Sequence, residues 1–290
     1  VLQRAFLAFQ DEIHTVLFVI FSYTLWEVAV KIAVCIKAVP ETDTRIRIAA
    51  DGRSVDRADV KFIVSPYDEF ALEEAIKLKE SKGGAVTVIG LGGDETPAVL
   101  RDGLARGADD AIHISDAGVA TDDPLIVGKL LAAALKQLGP TITFFGKHGV
   151  GGDNQQVPAV VAERLGQPQV TVVTKLEVSD AGVRAEREIE GGVEVVTAPL
   201  PVVIAAQKGL NEPRYPKLQG IMQAKKKPLA TKTATDLGLS AAEVGPEAAS
   251  VVITGLSLPP ARQAGRKIEG DAGAQATELI KALQNEAKVI

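Results

Sequence analysis

The sequence predicts an α/β fold: a doubly wound, mainly parallel sheet followed by an irregular C-terminal arm. Three observations carry this. From Val30 to about Pro201, short apolar runs of buried-strand composition alternate with segments of helical periodicity. Gly-rich corners stand where strands run into helices. After about Lys227 the long periodic runs give out.

The first strand is "VKIAVCIKAV", from Val30. "RIRIAADGRSV" alternates and carries Asp51-Gly52, which predicts a hairpin. "SPYDEFALEEAIKLKESKGG" predicts a helix with Ser65 as cap and Pro66 at its first position. Asp68 and Glu69 favour its positive N-terminus, and Gly83-Gly84 ends it. Phe70, Leu72, Ala75, Ile76 and Leu78 make its apolar face; Glu73 and Glu74 fall on the solvated one. Next come strand "AVTVIGLGG", helix "ETPAVLRDGLARG", strand "DDAIHISD" and helix "DPLIVGKLLAAALKQLG". Strand "TITFFGKHGVGG", helix "DNQQVPAVVAERLG" and strand "PQVTVVTKLEV" follow. "REIEGGVEVVTAPLPVVIAA" reads as two strands around Gly191-Gly192. "LNEPRYPKLQGIMQAKKKP", Leu210 to Pro228, is too irregular for a helix and too apolar for a flexible linker. Residues 227–290 read as an arm that gains structure against a partner and closes with the helix "AQATELIKALQNEAKVI".

Residues 1–27 do not match the rest. "TVLFVIFSYTLW" fits neither a spanning helix nor a signal peptide, so the segment reads as an upstream extension or a misassigned start, without membrane insertion. A net charge of -5 provides no basic field for nucleic acid. The single Cys35 excludes an intrachain disulfide and fits a reducing compartment, hence a cytoplasmic location, or the mitochondrial matrix in a eukaryote. Three histidines and one cysteine show no metal-ligand spacing.

Ligands in open α/β sheets bind where strand order reverses, at the carboxyl ends of the strands. Three corners meet that description: the end of "IAVCIKAVP", "GLGGDET", and "GKHGVGGDNQQ". In the third, Gly149, Gly151 and Gly152 permit close backbone approach. Asp153, Asn154, Gln155 and Gln156 would open a helix whose free N–H groups suit a phosphate. A tight turn with a capped helix accounts for the same residues. Catalytic motifs such as GxSxG and HExxH are missing. His148 reads as satisfied by a local hydrogen bond, His113 as structural and Cys35 as an inert core thiol. The expectation is a nucleotide site with nothing that acts on the nucleotide.

Five blocks in fixed order carry a resemblance: "VKIAVCIKAVPET", "SPYDEFALEEAIKLKE", "AEREIEGG", "LPVVIAAQKGLNEPRYPKLQGIMQAKKKP" and "LPPARQAGRKIEG". From Val30 to the C-terminus the chain resembles the β subunit of electron transfer flavoprotein. The resemblance implies an adenine-nucleotide α-hydrolase-like fold and a heterodimer with an α subunit that holds most of an FAD. It also implies a structural AMP in the β subunit, acyl-CoA and related dehydrogenases as electron donors, and a quinone oxidoreductase as acceptor. Carried over, the AMP site maps to Cys35, to Ser65, Pro66, Tyr67 and Asp68, to Leu91, and to Gly151, Gly152, Asp153, Asn154, Gln155, Gln156, Val157 and Ala159. Pro158 departs from the family pattern and removes an N–H, which leaves phosphate to the N–H groups of Asn154 to Val157. Pro40 and Thr42 map near the α-subunit FAD. Residues 28–226 would be the nucleotide-binding domain, including a recognition loop at 210–226. In that loop Leu218, Ile221 and Met222 are the apolar anchors, and Lys225 to Lys227, Lys226 among them, steer acidic partners. The alternatives are an electron-bifurcating relative with a second FAD in place of AMP, and a stand-alone nucleotide-binding module. An adenylate-forming or pyrophosphatase enzyme would need an SGGxDS-type loop where "KAVPETDT" stands.

Overall fold

The sheet explains most of the apolar sequence. In the computed structural model, which describes residues 30–261 and 264–290, the elements run β1 (Lys31–Cys35), β2 (Ala38–Pro40), β3 (Phe62–Val64), α1 (Pro66–Lys82), β4 (Ala85–Gly92), α2 (Thr96–Arg106), β5 (Asp110–Ser115), α3 (Pro124–Leu138), β6 (Ile142–Gly146) and α4 (Val157–Leu165). They continue with β7 (Gln169–Ser179), β8 (Gly182–Ile189), β9 (Gly192–Ala198), β10 (Val202–Ala206), α5 (Leu218–Ala224), β11 (Leu229–Lys232), α6 (Ala241–Val244) and α7 (Ala272–Ala282). The expectation for residues 1–27 lies outside the described residues.

Nine strands form one sheet in the order β11-β5-β4-β1-β6-β10-β7-β8-β9. From β11 to β7 all neighbours are parallel; β7, β8 and β9 close the far side as an antiparallel meander. Strand alternation sorts side chains onto two cores. Ile32, Val34 and Ile36 pack with Leu72, Ile76, Leu100 and Leu104 from α1 and α2. Ala33 and Cys35 pack on the opposite side with Ile126, Leu130 and Val161 from α3 and α4. Helices on both faces of a mostly parallel sheet make the fold doubly wound, as predicted.

Several local expectations change. "VKIAVCIKAV" is two strands in two sheets: after Cys35 the chain turns out of the main sheet, and Ala38–Pro40 pairs antiparallel with β3. Asp51-Gly52 makes a tight turn, in which the Asp51 carboxylate accepts the N–H groups of Arg53 and Ser54, but only the single bridge Ile48–Val55 flanks it. "REIEGGVEVVTAPLPVVIAA" holds parts of three strands, with β10 inserted between β6 and β7. Leu218–Ala224, expected to be irregular, is helical. Ser65 does not cap α1 with its side chain; its hydroxyl accepts the N–H of Val150 at 3.4 Å.

The body comprises residues 30–46 and 57–254, so it runs past residue 226 through β11, and Leu237 and Val244 are buried in the α3–α4 core. A second unit comprises residues 47–56 and 255–290. Within it Leu256 N–H donates to Gly52 C=O at 2.8 Å, Asp271 caps α7, and Arg266 pairs with Glu278 and Glu286. Among the described residues no helix is long and apolar enough to cross a membrane.

Candidate functional site

From β1 the chain builds outward through β4 and β5, then crosses back through α3 to lay β6 on the other side of β1. Strand order therefore reverses at β1 and β6, and a crevice opens beyond their carboxyl ends. A cavity of about 280 Å³ lies there, near the small end of ligand-site volumes, roughly 300–1,000 Å³. Its lining comes from the end of β1 (Cys35, Ile36, Lys37, Ala38), the end of β4 (Leu91, Gly92), the start of α3 (Pro124, Val127, Leu131) and the loop after β6.

Asp68 holds the floor together. It is 5% exposed, and its two oxygens accept the N–H of Lys37 and the N–H of Gly146, each at 2.8 Å. One carboxylate thus ties the start of α1 to the ends of β1 and β6. Burial pushes its pKa up to about 7, against the pull of those two N–H groups and of Lys37. Burial also raises the Cys35 thiol, reinforced by the charge on Asp68. Gly146 makes the closeness possible, since a Cβ there would lie 2.5 Å from Asp68 Oδ1 and 2.6 Å from the Tyr67 carbonyl carbon. Gly149 plays the same part for Lys37, whose Cδ would stand 2.6 Å from an added Cβ.

The loop between β6 and α4 is wound by positive φ at Gly151 (94°), Asp153 (48°) and Gln155 (55°). The helix begins at Val157, later than expected, with Pro158 in its first turn. Gly152 and Asp153 donate to Gly149 C=O, and Gln156 N–H is taken by Asn154 Oδ1 at 3.2 Å. Among the described residues the N–H groups of Asn154, Gln155 and Val157 take no partner. The expected anion cradle is thus smaller by one donor. Beside it, His148 Nε2 lies 3.3 Å from Asp153 Oδ1 and its ring packs edge-on against Tyr67 at 4.4 Å. Lys147 Nζ stands 4.8 Å over the Tyr67 ring. His113 Nε2 lies 2.8 Å from Gly92 C=O in the core, a structural contact.

A second feature stands on α1 and α2. The segment 210–228 lies along both helices, and α5 packs closely enough on α2 that a Cβ on Gly220 would collide with Ala105 C=O. Tyr215, Leu218 and Met222 are 88%, 75% and 64% exposed, with Ile221 beside them at 43%. Lys225 and Lys226 are also exposed. Lys227 is not a steering charge: its ammonium donates to the carbonyls of Leu104 and Ala108 at the end of α2, and desolvation lowers its pKa. Glu73, expected on a solvated face, is 6% exposed and paired with Arg214 at 2.8 Å, because this segment covers it.

A family model described as the electron transfer flavoprotein domain matches residues 53–237. The electron transfer flavoprotein subunit beta of Bacillus subtilis (strain 168) is 38% identical over 249 residues, 86% of this chain and 96% of the relative. That of Syntrophomonas wolfei is 40% identical over 261 residues, 89% and 98% of the two chains. That of Bradyrhizobium diazoefficiens is 36% identical over 261 residues, 90% and 100%. The chain belongs to the electron transfer flavoprotein β-subunit family. The resemblance read from its five blocks is therefore a family membership.

Of the residues carried over from the electron transfer flavoprotein family, Cys35, Asp68, Leu91, Gly152, Asn154, Gln155 and Val157 line the cavity. Ser65, Pro66, Tyr67, Gly151, Asp153, Gln156 and Ala159 stand behind or beside that lining. Pro40 ends β2, half-buried, and Thr42 is exposed in the turn that follows. Sequence reasoning singled out Gly149 at its corner but missed Lys37, Arg57, Asp116, Thr121, Asp122 and Phe145 in the wall. The corner position of Lys37 was a usable signal; Arg57 reaches the cleft through an ion pair with Glu95 at 3.0 Å, which no local pattern reveals.

Proposed function

We propose that this chain is the β subunit of a heterodimeric electron transfer flavoprotein, acting as a scaffold without catalytic residues of its own. It holds AMP in the cleft and docks acyl-CoA and related dehydrogenases through the patch around Leu218. The FAD, held mainly by an α subunit, supplies the redox chemistry, and a quinone oxidoreductase takes the electrons onward. The observation that carries this reading is the pairing of a small cleft at the switch point with an exposed apolar patch elsewhere on the body.

The cleft's chemistry fits a nucleoside monophosphate. Three main-chain N–H groups at Asn154, Gln155 and Val157, with Lys37 against the same loop, suit a dianionic phosphate. Apolar walls from Leu91, Val127, Leu131 and Phe145 suit a purine. A cavity of about 280 Å³ favours a mononucleotide over a dinucleotide. Asp68 and the N–H groups it accepts hold the floor of that cavity; Pro40, at the end of the strand leaving its rim, and Thr42, in the turn beyond, would approach the α-subunit flavin.

The test is the cofactor content of the αβ complex purified after co-expression. Extraction and chromatography are expected to return one FAD and one AMP per heterodimer. Two flavins and no AMP would replace this reading with the electron-bifurcating one. A β chain that purifies alone, loaded with nucleotide and without an α subunit, would favour the stand-alone module.

A further inference from the structure

The docking patch is held from both ends. At its start, Asn211 donates to Phe70 C=O and to Glu74 at 3.0 and 2.9 Å. Arg214 follows. Its main-chain N–H and Nε donate to Glu73 Oε2 at 3.1 and 2.8 Å, and its Nη2 donates to Glu73 Oε1 at 3.0 Å. The same guanidinium donates to both oxygens of Glu80, two turns further along α1, at 2.5 and 2.9 Å. The Arg214 carbonyl accepts from Arg106 of α2 at 3.1 Å. At the far end, Arg101 of α2 donates to Ala224 C=O and Lys227 C=O at 2.5 and 2.6 Å. Between these stakes the large side chains point outward.

Among the described residues, every hydrogen bond to the Glu73 carboxylate comes from Arg214. A buried carboxylate with one partner commits that partner's position, because leaving the charge unpaired is strongly unfavourable. The guanidinium sets five donors in one fixed plane and meets both oxygens of each carboxylate; a lysine ammonium, with three donors and no fixed plane, cannot reproduce that paired geometry. A surface that is already ordered binds without the entropy loss of ordering itself.

We infer that Arg214 is a positioning residue for docking, its clamp on Glu73 and Glu80 holding residues 215–223 in the conformation a partner's apolar pocket receives. This rests on the docking role proposed above. The experiment uses the αβ complex, with a purified medium-chain acyl-CoA dehydrogenase and octanoyl-CoA as the electron source. Arg214→Lys is expected to speed amide exchange across 215–223 and to raise the KM for the flavoprotein roughly tenfold, with kcat, flavin and nucleotide content unchanged. Glu80→Gln, at a half-exposed position that does not threaten folding, is expected to move the same two readouts in the same direction by less. Leu218→Ala is expected to raise KM with amide exchange unchanged. Arg214→Lys at wild-type KM, while Leu218→Ala raises it, overturns the inference; so does a raised KM accompanied by loss of flavin or nucleotide. Leu218→Ala at wild-type KM overturns the docking role itself.

Discussion

A carboxyl group enclosed at 5% exposure, with both oxygens taken by main-chain N–H groups, titrates far from its free value, as Asp68 does at about 7. The sign follows from proton uptake. The folded state keeps a proton that the unfolded chain releases near pH 3.9, so the contribution of Asp68 to stability is complete below that pH and is lost as pH rises through about 7. The gap corresponds to a few kcal/mol, on the order of 1.4 per pH unit. Asp68→Asn removes the titration but sets an NH₂ against one of the two N–H donors, at about 1–3 kcal/mol. Thermal melts are expected to show the variant well below wild type at pH 5, with the difference narrowing by pH 8. The cavity-lining role of Asp68 was legible as a family position; its charge state was not, because burial is a property of the packed cleft.

Elements here are placed by glycines as much as by apolar faces. The start of α1 meets the end of β6 only because Gly146 has no side chain. Gly146→Ala is expected to cost about 1–3 kcal/mol, as overpacking does, and to lower nucleotide occupancy by spreading β6 from α1; calorimetry and extraction from the same preparation would check both. Strand and helix order from Val30 to Ala206 was legible because period-2 and period-3.6 patterns are local. The misread elements share a cause. Cys35 to Ala38 leaves the sheet when Lys37 N–H is drawn to Asp68, 31 residues away. Leu218–Ala224 is helical because α2 receives it, through Arg101, Lys227 and the gap at Gly220. Intrinsic propensity alone leaves a seven-residue helix marginal.

At the scale of the molecule, the sheet and both cores are complete by Thr254. A chain ending there is expected to fold and keep the cleft, and with it the AMP proposed above, with a melting transition within a few degrees of the full chain. On the proposed heterodimer it is also expected to lose the α subunit on co-purification, since the removed residues include the exposed apolar side chains Leu256, Leu258, Leu279 and Ile280. A truncated chain that still co-purifies would place the α-subunit contact on the body.

The amino-acid sequence by itself determined the fold class, the order of the main strands and helices, the family, and the corners at which the cavity opens. All of these rest on patterns within one element or on blocks in fixed order. Tertiary structure decided which corner residues face the cleft, that Lys227 is spent on α2 while Lys225 and Lys226 stay exposed, and that Glu73 is buried beneath Arg214. The reason is separation along the chain: Asp68 meets Gly146 across 78 residues and Glu73 meets Arg214 across 141. Contacts of that reach exist only after β1, β6 and the two helices have assembled.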